Sequence, residues 1–210
     1  MENAAGDRSE LLSALNTEYF VLQGASASSI SEASSRASLY LLTLSSGLVS
    51  VGFALGLAPE VFTMFAGTVL TTVFVLGWFT VFRLIDTSVA NVQALRGMVR
   101  IRRFYRGVHP LAGEFFPTSG SEASDASHML AIRRPGRSFY STMASMIGAV
   151  NGVVGGAAAA MLAAIVSPNQ VAITTGLAVA ASLFIIVMFV QRRRFAAEFI
   201  SGGQKGTTDY

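Results

Sequence analysis

Residues 138–191 read SFYSTMASMIGAVNGVVGGAAAAMLAAIVSPNQVAITTGLAVAASLFIIVMFVQ, without one Asp, Glu, Lys, Arg or His. A helix that crosses a bilayer needs about 20 predominantly apolar residues, at roughly 1.5 Å of rise each. This run is too long for a single span. Ser167-Pro168-Asn169 divides it with a turn signal. Two spans result, 141–166 and 170–191. The same reading works upstream. Two further uncharged stretches, 37–57 and 61–82, are divided at Ala58-Pro59-Glu60. A soluble bundle would place charge on one face of each helix, and these four helices carry none.

Composition agrees. The chain has 210 residues, 52% hydrophobic and only 13% charged, where an ordinary soluble domain is about a quarter charged. The expected fold class is therefore all-α: a polytopic membrane protein whose four transmembrane helices form two hairpins, with cytoplasmic helical segments. Orientation follows from the basic residues. All fifteen Lys and Arg lie in the N-terminal segment, the central segment or the tail, and neither short loop has one. Short basic loops stay on the cytoplasmic side. The plasma (inner) membrane is the expected location, with both termini and the 83–137 segment cytoplasmic. Tyr40, Trp78, Phe82, Phe139 and Tyr140 fall near the inner ends, where amphipathic rings favour the interface.

Five segments follow: an arm 1–36, a hairpin 37–82, a cytoplasmic region 83–137, a second hairpin 138–191, and a tail 192–210. The opening MENAAGDRSE lacks the basic-then-apolar order of a signal peptide, so the first span is expected to direct targeting. In the arm, Asp7 and Glu10 have the spacing of a capping box. Leu12, Leu15, Tyr19 and Leu22 then recur at helical spacing. Gly24–Ser35 has the composition of a flexible linker, with a second helix predicted to start near Ile30 and run into the first span. Beyond the second span no breaker intervenes before about Arg106, so that helix is predicted to continue, with Ile85, Val89, Val92, Leu95 or Val99 on one side. A short helix is predicted over 121–132. Both hairpins open on an arginine followed by a tyrosine, Arg36 to Tyr40 and Arg137 to Tyr140, which is a faint parallel repeat.

Three features could carry function. The first is a four-residue beat of small side chains: Ala144, Gly148, Gly152, Gly156, Ala160 and Ala164. Lipid supplies no hydrophobic drive between helices, so close backbone packing and interhelical hydrogen bonds must hold them together. The stripe is read as a packing face, within one chain or between copies. Ser46, Ser50 and Ala54, with Gly52 and Gly56, offer a similar face on the first span, and Ala172, Gly176 and Ala180 on the fourth. The second feature is Asn151, the strongly polar side chain deepest in any span. It is expected to bond a hydroxyl, with Ser46, Ser50, Thr71 and Thr72 at matching depth; the competing reading is a hydrated path. The third is the arginine cluster Arg96, Arg100, Arg102, Arg103 and Arg106, interleaved with Phe104 and Tyr105. Such a cluster sets topology, meets anionic lipid headgroups, or contacts an acidic partner. No fold for nucleic acid accompanies it.

The chain has no cysteine. His109 and His128 lack ligand spacing, no catalytic constellation is visible, and the glycines of 148–156 follow no strand. No metal, cofactor or enzyme activity is expected. Charged residues inside spans mark ion-coupled transport and proton relays, and none is present here.

On EYFVLQGASASSISEASSRASLYLLTLSSGLVSVGFALG (18–56) and the later SMIGAVNGVVGGAAAA, the chain resembles uncharacterised bacterial four-span integral membrane proteins, a group that implies no activity. In plan it is also similar to SLATT-type membrane effectors, which join membrane hairpins to a cytoplasmic helical extension; no residue role carries over. The expected function is that of a non-enzymatic membrane protein. It would self-associate through small-residue helix faces as a homo-oligomer, and bind a cytoplasmic partner or signal through its cytoplasmic helices. The alternatives are an oligomeric pore-forming effector or a small transporter.

Overall fold

A computed structural model describes residues 2–108, 111–116 and 143–204. Every element among them is helical: α1 (Glu2–Phe53), a single 3-10 turn (Ala54–Gly56), α2 (Pro59–Val108), the short α3 (Ala112–Phe115), α4 (Met143–Ala164) and α5 (Asn169–Gln204). Four of these, α1, α2, α4 and α5, are long and apolar enough to cross a membrane. The segment 121–132, both histidines, Arg137, Phe139 and Tyr140 lie outside the described residues.

The helix ends follow local chemistry. Pro59 opens α2, a position where its missing N–H costs nothing and its fixed φ suits a helix. α4 ends in a tightened turn, in which Ile165 and Val166 donate to Leu162 and Ala163 three residues back. No cap is needed at Asp7, because α1 already begins at Glu2.

α1 also corrects the linker reading of 24–35. The helix runs through that stretch without interruption. A mid-helix glycine costs about 1 kcal/mol and each serine less, and no proline intervenes. Packing against α2 outweighs that cost. Ser26 is buried and its Oγ donates to Asn91 Oδ1 at 2.6 Å, and Leu22 lies against Gly97. Small, flexible-looking residues here serve helix contact.

The described residues form two compact units, and α1 and α2 contribute to both. The first unit holds 2–32 and 87–116. In it α1 and α2 run antiparallel: Arg8 Nη2 donates to Val108 O at 3.4 Å, Tyr105 Oη to Leu12 O at 3.0 Å, and the Leu22–Gly97 and Ser26–Asn91 contacts follow in register. Arg8 thereby meets the carbonyl end of α2, where the helix dipole favours a cation. Val92, Leu95 and Val99 are buried as their spacing predicts, and Met98 and Ile101 join them.

The second unit holds 33–86 and 143–204. Its core draws on all four long helices: Ala37, Tyr40 and Leu44 from α1; Val73, Val81 and Leu84 from α2; Ala144, Ile147 and Val154 from α4; Val187 and Met188 from α5. Its outside is apolar as well. Phe53 is 85% exposed, Val166 84%, Met64 75% and Phe79 70%. A surface of this kind suits lipid, where a spanning helix satisfies its own backbone polar groups. The hydroxyls on it fold back onto their own helix. Thr63, Thr68, Thr72, Thr80, Thr175 and Ser182 each donate to the carbonyl four residues earlier, at 2.7–2.9 Å. That local bond hides the hydroxyl from an apolar solvent.

Candidate functional site

α4 meets its neighbours through three sets of residues on one buried side. The first is the four-residue beat, which lies against α5. A Cβ added at Gly148 would fall 2.7 Å from Val187 Cγ1. At Gly152 the nearest atom is the Ala180 carbonyl oxygen, at 3.2 Å. At Gly156 a Cβ would lie 2.5 Å from Gly176 O, and at Gly176 it would lie 2.7 Å from both Gly156 O and Ala160 Cβ. Gly156 and Gly176 therefore face each other backbone to backbone. Any side chain at either would press on a main-chain oxygen that cannot turn aside. Ala144 is fully buried at one end of the beat, Ala160 is half-buried, and Ala164 at the other end is exposed. The stripe is a contact face within the chain from Ala144 to Ala160.

The second set is Gly155, whose missing side chain admits the Phe74 ring of α2 and the Leu183 methyl of α5, both under 3 Å from the place of a Cβ. Phe74 continues through Trp78 to Phe82, a run of ring contacts one helical turn apart. Trp78 packs against the core and Phe82 is exposed.

The third set is Asn151, one turn from Gly155 on the same side of the helix. Tyr40 Oη donates to Asn151 Oδ1 at 3.1 Å, and both residues are 1% exposed. α2 passes beside this bond at Gly77. A Cβ there would overlap Asn151 Oδ1 and lie 2.7 Å from Tyr40 Cε2. One hydroxyl, one amide and one absent side chain thus bring α1, α4 and α2 to a single point. Interhelical bonds of this type average about 0.6 kcal/mol in a membrane. An amide left unsatisfied in the same place would cost about 1–3 kcal/mol.

This arrangement corrects two sequence readings. Tyr40 is a buried partner rather than a ring at the interface. The hydroxyls at matching depth, Ser46, Ser50, Thr71 and Thr72, are exposed, and Ser50 bonds Ser46 O instead. Depth along a helix says nothing of its rotation. Ala37, Tyr40 and Leu44 form one buried stripe at helical spacing, and Ser46 and Ser50 lie off it. That stripe, with Gly77 in the neighbouring span, was the signal that could have found the pair.

The arginines belong to the first unit. Arg96, Arg102 and Arg103 are half-buried, while Arg100 and Arg106 are exposed. Arg96, Arg100, Arg103 and Arg106 each interact within the chain. Arg100 lines a groove of about 430 Å³ with Leu11, Leu15, Glu18, Leu22, Ile101 and Phe104. Arg102 lines another of about 360 Å³ with Asn16, Tyr19, Tyr105 and Phe116. There Tyr105 and Phe116 stack with centroids 6.0 Å apart, so their facing sides are already used. Among the described residues no group of three metal-ligating side chains comes together.

The chain matches no protein-family model, no curated protein and no solved structure.

The arrangement as a whole holds helices together. The tyrosine hydroxyl on the amide oxygen ties α1 to α4. Glycines that meet backbone across a helix contact supply proximity.

Proposed function

We propose that this chain is a non-enzymatic, multi-pass protein of the plasma (inner) membrane, built as two hairpins with its termini and the 83–137 region on the cytoplasmic side. It self-associates, and its cytoplasmic helices bind a partner or signal. The observation that carries this reading is where the polar and small residues of the second unit are used. Asn151 is committed to Tyr40 and the α4 stripe to α5, inside the chain. The first unit, by contrast, keeps two grooves open, each with an arginine.

The reading of Asn151 as the lining of a hydrated path loses support, because its amide oxygen accepts from Tyr40 inside the chain. Self-association through small residues then falls to the first span, away from its buried Ala54. Ser46 and Ser50 are exposed on one side of it; Gly52, across the helix, has nothing within 4 Å of an added Cβ, nor has Gly56 in the turn that follows. The arginine cluster supports cytoplasmic placement through the basic-inside rule and would meet anionic headgroups or an acidic partner.

The test is reconstitution of the full chain in liposomes, with copies labelled by donor and acceptor dyes. Energy transfer should rise with protein-to-lipid ratio and fall with Gly52→Leu, while a potassium-flux assay stays at the empty-liposome rate. Flux that disappears with Asn151→Leu would replace this reading with a pore.

A further inference from the structure

Of the five central arginines, Arg102 stands apart. The other four interact within the chain. Arg102 is half-buried, and among the described residues it has no hydrogen bond and no ion pair. A guanidinium stays charged at any working pH. Held partly out of water, it favours an opposite charge beside it.

The groove it lines lacks that charge. Asn16 and Tyr19 come from α1, Arg102 and Tyr105 from α2, and Phe116 follows α3; none is a carboxylate. Glu18, which lines the neighbouring groove, does not line this one. Every polar side chain here can donate. Among the described residues the Asn16 amide and the Tyr19 hydroxyl have no hydrogen-bond partner either. The Tyr19 ring meets Phe20 edge-on.

The helix pair sets these donors side by side. A spacing of three puts Asn16 and Tyr19 on one side of α1, and Arg102 and Tyr105 on one side of α2. The register of the Leu12–Tyr105 and Leu22–Gly97 contacts brings Asn16 level with Arg102. Tyr105 is held twice, by its hydroxyl on Leu12 O and by its ring on Phe116, so it forms a fixed wall. The space, about 360 Å³, lies within the range of about 300–1,000 Å³ that small ligands occupy.

We propose that this groove binds a phosphate monoester group, carried by a lipid headgroup or by a soluble molecule. The idea rests on the reading that the first unit binds a partner or signal, and it names the chemistry recognised. A guanidinium fork pairs with two oxygens of a carboxylate or a phosphate. A carboxylate presents two oxygens in one plane, and the fork engages both. A phosphate monoester adds a third oxygen out of that plane. Arg102 then holds two oxygens from α2, while Asn16 and Tyr19 reach the third from α1.

Calorimetric titration of the full chain in uncharged detergent micelles tests the site with two probes. One is inorganic phosphate. The other is short-chain phosphatidic acid, compared with the matching phosphatidylcholine, whose phosphate lacks the third free oxygen. The wild-type chain should bind at least one probe at one site per chain. Arg102→Gln should weaken that binding roughly tenfold or more, and Asn16→Ala and Tyr19→Phe about threefold each. These side chains are exposed or half-buried, so helicity by circular dichroism should not change. Arg102→Lys keeps the charge but loses the fork, and should recover little of the loss.

Binding of inorganic phosphate assigns the groove to a soluble ligand. Binding of phosphatidic acid without inorganic phosphate assigns it to a lipid headgroup, and either result sustains the site. Wild-type affinity in Arg102→Lys reduces the effect to diffuse charge and overturns it. A wild-type chain that binds neither probe overturns it as well, and one that binds a glutamate-rich peptide in their place gives the groove to an acidic protein. Self-association is read separately by energy transfer, so loss of this site leaves that part of the broader reading standing.

Discussion

The contact of α4 with α5 and the contact of α1 with α2 in the first unit use glycine differently. At Gly156 the opposing atom is a backbone oxygen, and the opposing residue is itself a glycine. At Gly97 the opposing atoms are the δ-methyl groups of Leu22, the far end of a flexible side chain. One contact brings two main chains together. The other seats a knob in a notch, and Ser26–Asn91 ties it a few residues away. The difference fits the solvents proposed for the two units. In lipid, apolar burial between helices contributes little, so close main-chain approach and a polar tie such as Tyr40–Asn151 must hold them. In water, burying a leucine contributes about 1.5–3 kcal/mol by itself, and main chains need not touch.

This contrast can be broken by substitution, measured as unfolding free energy of the full chain in mixed micelles by circular dichroism. Gly156→Leu should have the largest effect, about 3 kcal/mol or more, because the new side chain meets Gly176 O and Ala180 with no room to yield. Gly77→Ala should follow at about 2 kcal/mol, since its methyl displaces either Asn151 or Tyr40 and breaks their bond. Tyr40→Phe keeps the ring and removes the hydroxyl, for a loss of about 1 kcal/mol. Combined with Asn151→Leu, it should lose less than the sum of the two single changes, the mark of a shared bond. Gly97→Ala should fall within about 0.5 kcal/mol of wild type, because Leu22 can change rotamer and alanine gains about 1 kcal/mol of helix propensity. A Gly97→Ala loss as large as that at Gly77 would erase the distinction between the two contacts.

Much of the fold was legible before any coordinates. Charge is absent from long stretches and basic residues flank them, and both are one-dimensional signals that need no partner. The four-residue beat at Gly148, Gly152 and Gly156 was legible for the same reason, since spacing alone puts those residues on one face of a helix. Its partner was not, because nothing in the spacing separates a helix of the same chain from one of another copy. Tyr40 was misplaced because position along a span suggested an interface ring, whereas helix rotation turns it inward. The stretch 24–35 was misread because serine and glycine serve both linkers and close helix contacts. Only Leu22 on Gly97 and Ser26 on Asn91 decide between those uses. Gly77 and Gly97 stood outside any motif, and their roles exist only across helices.

The central claim is that the α4 stripe packs on α5 of the same chain. A Cβ at Gly152 lies 3.9 Å from Leu183 Cβ, close to the mean separation of about 3.8 Å in a disulfide. The chain has no cysteine of its own. A Gly152→Cys, Leu183→Cys double variant oxidised in membranes should therefore form a bond within one chain, seen as a faster-migrating monomer on a non-reducing gel. Gly152→Cys alone should give no cross-linked dimer. A dimer from that single variant, with no intrachain bond in the double variant, would place the stripe between copies and contradict the account.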